Sequence, residues 1–260
     1  MKAMRILSFN IWNRVRESPK ETERRLEQVG QFIRSLNADV VSLQEVTPEA
    51  WEFLRSYLKV SDAEYTPRDV GGAHNEGLPV FRLSSDLEVT AQHSFWLSET
   101  PDLPSKFQGA VHPRICSAIQ FRQEERSWWV FNLHLDHRSG LIRHRSLEVL
   151  HDRLTEWTSP GDAVVICGDF NMSGQLKSVK QFLQEHDLVD ATDLHPRQER
   201  KPTYLGWGFF RLAKARIDLC LHSQGLRAIG YQAVDPLWQK RFVSDHRAVV
   251  VDLETMTSST

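Results

Sequence analysis

Apolar residues recur along this chain in two different periods, and the switches between them mark out its elements. Met4–Phe9 and Asp39–Leu43 are short apolar runs that read as buried strands. Between them Leu26, Val29, Phe32, Ile33 and Leu36 share one face of a helix over Glu21–Leu36. Asn37 suits the end of that helix, since asparagine tolerates the left-handed conformation that closes one. Pro48–Leu58 reads as a second helix with proline in its first turn. Leu78–Leu83, Leu87–Trp96, Arg114–Phe121 and Ser127–Leu135 then read as strands bounded by Gly, Pro or charged turns. Helical spacing returns through Leu147, Leu150 and Leu154 over Leu141–Trp157. Ala163–Cys167 reads as a strand and Gln175–Glu185 as a helix, and Arg216–Leu221, Leu226–Val234 and Ala248–Leu253 as closing strands. Gly71–Gly77 reads as a flexible surface loop, and Pro196–Ala213 as a long irregular segment.

Strands outnumber helices, several are consecutive, and helical segments fall between the halves. That pattern predicts two sheets packed face to face with helices outside. No repeat, low-complexity tract or composition break marks a linker, so the expectation is one domain over residues 1–255 and a frayed end at 256–260.

Composition narrows the function more than the fold. With 40% hydrophobic and 25% charged residues the chain has material for a sizeable core. A net charge of −2 provides no chain-wide attraction for polyanions, so any anion binding must be local. Cys116, Cys167 and Cys220 are odd in number and embedded in apolar runs, which favours buried thiols and a reducing compartment. Met1–Trp12 holds too short an apolar stretch for a signal peptide, and no run approaches a membrane span. A soluble, cytoplasmic monomer is the expectation.

Six short segments carry the candidate chemistry: Ser8-Phe9-Asn10, Leu43-Gln44-Glu45, Asn132-Leu133-His134-Leu135-Asp136, Gly168-Asp169-Phe170-Asn171, Arg216-Ile217-Asp218 and Ser244-Asp245-His246. Each sits at the edge of an apolar run, where a β-scaffold can hold polar groups rigidly along one rim. The set is rich in oxygen donors and poor in sulfur, which points to a hard cation, magnesium or manganese, over zinc.

Taken in this order, the segments resemble the motif set of the endonuclease/exonuclease/phosphatase superfamily, over roughly residues 4 to 253. The resemblance implies a four-layer α/β/β/α sandwich, two mixed sheets with helices outside, and divalent-metal-dependent hydrolysis of phosphoester bonds. It implies that Glu45 is the principal metal ligand, with Asn10 and Asp245 close by. Asp169 would orient and deprotonate the attacking water, and Asn171 would hold the assembly. His246, paired with Asp218, would bind a phosphoryl oxygen; His134 and Arg114 would also reach the phosphate. Asp136 and His137 continue the motif as supports. Gln44-Glu45-Val46-Thr47-Pro48 further resembles the tyrosyl-DNA phosphodiesterases of this superfamily, although Gly168-Asp169-Phe170-Asn171 departs from their pattern.

Phosphoester hydrolysis suits such residues on physical grounds, because it concentrates negative charge that a cation and an imidazole can stabilise while a carboxylate accepts a proton. The segment Tyr204–Arg211 interleaves aromatic and basic residues, with Lys201, Lys214 and Arg216 around it. Trp207 and Phe209 are therefore candidate substrate contacts, by stacking on bases or by apolar insertion. A phosphodiester in nucleic acid is the leading substrate. A sphingomyelinase-like lipid phosphodiesterase or a phosphoinositide phosphatase is the enzymatic alternative, and a noncatalytic phosphate-recognition module the alternative of another class.

Overall fold

In the computed structural model, which describes residues 3–14, 17–71, 75–193, 201–206 and 215–256, the first apolar run is strand β1, Met4–Asn10. Helix α1, Pro19–Ser35, starts at a capping box: Glu21 N donates to Ser18 Oγ and Ser18 N donates back to Glu21 Oε2. It stops where Asn37 takes a φ of 50°. Strand β2 is Val40–Gln44, and α2, Pro48–Leu58, is capped by Thr47 and ends at Lys59 with φ 60°. Next come β3 (Val80–Arg82), β4 (Glu88–Trp96), β5 (Ile115–Gln123), β6 (Arg126–His134), α3 (Gly140–Trp157), β7 (Ala163–Asp169) and α4 (Lys177–Glu185). The last strands are β8 (Leu188–Asp190), β9 (Asp218–Ser223), β10 (Leu226–Val234), β11 (Leu237–Trp238), β12 (Arg241–Phe242) and β13 (Ala248–Thr255).

Two large sheets result, ordered β10-β13-β1-β2-β3 and β4-β5-β6-β7-β9-β8, with β11 and β12 a small separate hairpin. Both are mixed, the parallel neighbours being β1 with β2 and β6 with β7. Alternation assigns each strand residue to one side. Met4, Ile6 and Val40 of one sheet and Trp128, Val130, Val165 and Cys220 of the other meet between the sheets in one core. Leu7, Phe9, Val41 and Leu43 face outward and pack with Val29 and Ile33 of α1 and Leu54 of α2. On the opposite outer face Phe131, Leu133 and Ile166 pack with Leu150 of α3 and Phe182 of α4. The molecule is the α/β/β/α sandwich anticipated from the motifs. None of its described helices is long and apolar enough to cross a membrane.

The same alternation builds the site. The inward rows read Met4, Ile6, Ser8, Asn10 on β1 and Trp128, Val130, Asn132, His134 on β6. On β7 the row is Ala163, Val165, Cys167, Asp169. Each begins apolar and ends polar, so the sandwich is dry inside and polar at one rim.

Two local expectations are corrected. Gly71–Gly77 is no free surface loop at its far end: Asn75 is buried, and Gly77 bridges Val46 and Pro67. A Cβ on Gly77 would meet the Tyr65 ring at 2.5 Å, so the glycine is there to permit a close approach. Arg216 precedes its strand instead of opening it, and its guanidinium pairs with Asp190, 2.6 Å away. Strand β8 and the β11–β12 hairpin have no counterpart in the sequence reading, being too short to show a period.

Candidate active site

Register brings three of the motif residues into one row. His134 lies opposite Asp169 on the parallel pair β6–β7, and Asp169 lies opposite Asp218 on the antiparallel pair β7–β9. On the facing sheet, β1 and β2 align Asn10 with Gln44, so that Glu45 is the first residue past the strand. The turn before β13 supplies Ser244, Asp245 and His246; Ser244 Oγ donates to Asn10 O at 2.6 Å and accepts from His246 N at 3.0 Å. That hydroxyl pins the last motif to the first.

Backbone strain collects here. Glu45 has φ 59° and Asn171 φ 50°, left-handed conformations uncommon outside glycine and asparagine. Gly168 has φ 139°, and a Cβ there would lie 2.0 Å from Leu133 O, so only glycine lets β7 run this close to β6 before Asp169. Asn171 N donates to Asp169 Oδ1 at 2.9 Å and its side chain to Leu135 O at 3.0 Å, fixing the turn that presents the carboxylate.

Asp169 is the hub. Its Oδ2 accepts from Asn10 Nδ2 at 3.2 Å and lies 3.5 Å from His134 Nε2 and 3.8 Å from His246 Nε2. His246 Nδ1 sits 2.9 Å from Asp218 Oδ2, and Asp218 is itself held by its N–H donating to Thr203 Oγ1 at 2.9 Å. Asp169, Asp218 and His246 can bring one ligand atom each within 4.8 Å of one another, as a metal-binding triplet could. Because Asp218 occupies the Nδ1 of the ring, we read the triplet as a carboxylate–imidazole–carboxylate unit instead.

The charges follow from burial and neighbours. Burial, and then Asp218, lift the Asp169 carboxyl well above the usual carboxylate range. Burial opposes a charge on His246, but Asp218, by charge and hydrogen bond, and then Asp169 and Asp245 outweigh it and raise the ring to about 10. His134 is held well below the ordinary histidine value by burial and then by Arg114 and Arg68. One imidazole of the pair is thus cationic near neutrality and the other neutral.

Glu45 and Asp245 are half-buried carboxylates that line the cleft. Glu45 Oε1 accepts from Asn10 Nδ2 at 3.0 Å and Oε2 from Asn13 N at 2.8 Å. Burial pushes the Asp245 carboxyl up to about 6, with Glu45 adding to the rise against the opposing charge of His246. Carboxylates gathered at one rim, with oxygen donors throughout, fit a hard divalent cation. Asn10 differs from the other two expected ligands: its Oδ1 already accepts from Trp12 N at 3.0 Å and its amide serves Glu45 and Asp169.

Glu45, Asp169, Asn171, Asp245, His246, His134 and Arg114 all line one cleft of about 400 Å3. Asn10 and Asp218 stand behind its wall, both buried. Trp207 and Phe209 lie outside the described residues. The cleft also takes in Arg68 and Glu76, which the sequence reading missed, and Tyr204, whose ring lies 5.0 Å from that of His246. Arg68 pairs with Glu76, and Asn13 Nδ2 donates to Glu76 Oε1 at 3.1 Å, tying this segment to the end of β1. Neither residue falls in a periodic element, and only the polar cluster Asn75-Glu76-Gly77 hinted at them.

A two-sheet sandwich whose rim gathers carboxylates, an ion-paired histidine and a cation-fitting acid pair defines a phosphoester hydrolase. The chain belongs to the Endonuclease/Exonuclease/phosphatase family, whose family model matches residues 7–246. It is similar to the mannosyl-6-phosphatase of Bacteroides thetaiotaomicron, at 24% identity and a TM-score of 0.81 over 96% of this chain and 99% of that one. An endonuclease/exonuclease/phosphatase from Bacteroides vulgatus superposes with a TM-score of 0.82 at 24% identity, over 98% of this chain and all of that one. TDP2 of D. rerio, complexed with single strand DNA product, superposes with a TM-score of 0.77 at 13% identity over 97% and 99% of the two chains. A search of curated protein sequences found no match.

Proposed function

We propose that the chain hydrolyses a phosphoester by attack of water on a phosphoryl group seated between Asp169, His134 and His246. The observation that carries this is the convergence on Asp169 Oδ2 of Asn10 Nδ2 and the Nε2 atoms of His134 and His246, at 3.2, 3.5 and 3.8 Å. Asp169 accepts the proton of the attacking water, a role its buried, hydrogen-bonded carboxylate can fill from one position. His246, charged and oriented by Asp218, donates to a phosphoryl oxygen as negative charge grows there. Neutral His134 donates a second hydrogen bond from the neighbouring strand. Asn171 holds the turn that aims Asp169.

Glu45 and Asp245 are the residues that would hold the divalent ion, magnesium or manganese. A bound cation supplies neutralisation of their charge and polarisation of the phosphoryl oxygens. Asn10 we assign to positioning, since its amide clamps Glu45 to Asp169 and its oxygen is already engaged.

A nucleic-acid substrate is supported by Tyr204, an aromatic ring lining the cleft beside His246 on which a base could stack. The DNA product named for the D. rerio neighbour is in keeping with that reading, whereas the Bacteroides thetaiotaomicron neighbour is named for a phosphorylated sugar. A magnesium-supplemented screen of DNA, RNA, 5′-adducted DNA, sugar phosphates, sphingomyelin and phosphoinositides tests the proposal, with Asp169→Asn as control. Turnover that survives in the control, or no turnover on any phosphoester, rejects it.

A further inference from the structure

The cleft has a second half that hydrolysis as described does not use. Arg68, His112, Arg114 and His137 line it. Arg114 is 5% exposed; its Nη2 lies 3.2 Å from His137 Nδ1, while Nε and Nη1 are buried with no hydrogen-bond partner among the described residues. A buried guanidinium with unmet donors is costly unless an acceptor completes it. His112 and His137 stack beside it, ring centroids 6.5 Å apart at 27°. Burial, and then Arg68 for His112 and Arg114 for His137, hold both imidazoles below the ordinary histidine value. Two guanidinium groups thus sit beside two imidazoles, and Glu76 is already engaged by Arg68 and Asn13; Asp136 Oδ1 is held by the N–H groups of Arg138 and Ser139 at 2.8 and 2.7 Å, while its Oδ2 is buried with no hydrogen-bond partner among the described residues.

This half adjoins the reaction centre in the same cleft. Arg114 hydrogen-bonds with His137 and makes no hydrogen bond to His134. A cleft of about 400 Å3 also holds a ligand much larger than one phosphoryl group.

We propose that Arg114, with Arg68, His112 and His137, forms a subsite for a second anionic group on the substrate, phosphate-like in charge and geometry. The preferred substrate is then a compact phosphoester carrying two anionic groups. The inference rests on the hydrolase reading of the same cleft.

Two substrate pairs that differ only in a second phosphate test it: thymidine 5′-(p-nitrophenyl phosphate) with and without a 3′-phosphate, and glucose 1,6-bisphosphate against glucose 6-phosphate. The two scaffolds separate a nucleotide source of the second anion from a sugar source. In at least one pair the second phosphate raises kcat/KM by about tenfold or more, the order expected of a charge-assisted hydrogen bond. Arg114→Gln and His112→Ala bring that ratio toward one, chiefly through KM; His112 is exposed, so its variant folds even if the other does not. The subsite is overturned if the second phosphate confers no advantage in either pair, or if the variants lower both members of a pair equally, which would make Arg114 a clamp on the scissile phosphoryl. Should no member be hydrolysed, the wider phosphoester screen decides the hydrolase reading by itself, and calorimetric titration of inorganic phosphate into metal-free protein decides the subsite. Binding that weakens in His112→Ala supports the subsite; no binding to the unmodified chain rejects it.

Discussion

Gln44 Nε2 donates a 2.7 Å hydrogen bond to Asn132 Oδ1, crossing from one sheet to the other where the dry core gives way to the polar rim. Asn132 Nδ2 returns the link by donating to Leu43 O at 2.9 Å and to Leu78 O and Pro79 O at 3.2 Å each. Both side chains are fully buried. Glu45 on one sheet and His134 on the other are thereby held at a set separation by side chains one and two positions before them.

Replacing Gln44 by alanine should leave Asn132 Oδ1 buried and unmet, and replacing Asn132 should remove the donor to the carbonyls of Leu43 and Leu78, each at a cost of about 1–3 kcal/mol. The two losses should be coupled, the double variant Gln44→Ala/Asn132→Ala losing clearly less than the sum. Urea unfolding of the four proteins measures this; strict additivity would show that the cross-sheet bond is incidental.

His246→Ala and Asp218→Asn should both lower kcat, the first more, because Asp218 acts on the reaction chiefly through the ring it orients. Residues that work as a unit give nonadditive losses. A double variant whose loss equals the product of the single losses argues against the pairing.

Glu45→Gln should abolish magnesium-dependent turnover while the protein still melts cooperatively, since the amide oxygen can keep the contact from Asn13 N, while the acceptor for Asn10 Nδ2 and the charge a cation needs are lost. Near-normal turnover at limiting magnesium would remove Glu45 from the ligand set.

Asp190 accepts from Arg216 at 2.6 and 3.2 Å and from Thr192 Oγ1 at 2.9 Å, with side-chain exposures of 3% for Asp190 and 11% for Arg216. Asp190→Ala should destabilise by about 3–5 kcal/mol, because it strands a buried guanidinium. A melting temperature within a degree or two of the parent would contradict that account.

His222 is buried, and burial lowers its pKa from 6.5 in the folded state. As pH falls from about 6.5 the unfolded chain takes up the proton first, so this residue removes stability on the acid side. His222→Gln should flatten part of the loss of stability with acid below that pH; an unchanged slope would mean that the ring protonates in place.

What the chain determined by itself is periodic and local. Runs such as Met4–Phe9 and Ala163–Cys167, the Ser18–Glu21 cap and the polar residues ending each strand are set by side-chain period and neighbouring dihedrals, and these suffice to name the elements and most of the motif residues. The tertiary structure alone decided which of them meet. Register put His134, Asp169 and Asp218 in a row, the facing sheet placed Asn10 between Glu45 and Asp169, and the turn before β13 swung His246 onto Asp218. Arg68 and Glu76 entered the cleft, and Arg216 left it for Asp190, for reasons no window of sequence contains. A side chain's partner there is fixed by contacts between residues tens to hundreds of positions apart, and its charge state by burial that exists only once both sheets have closed on each other.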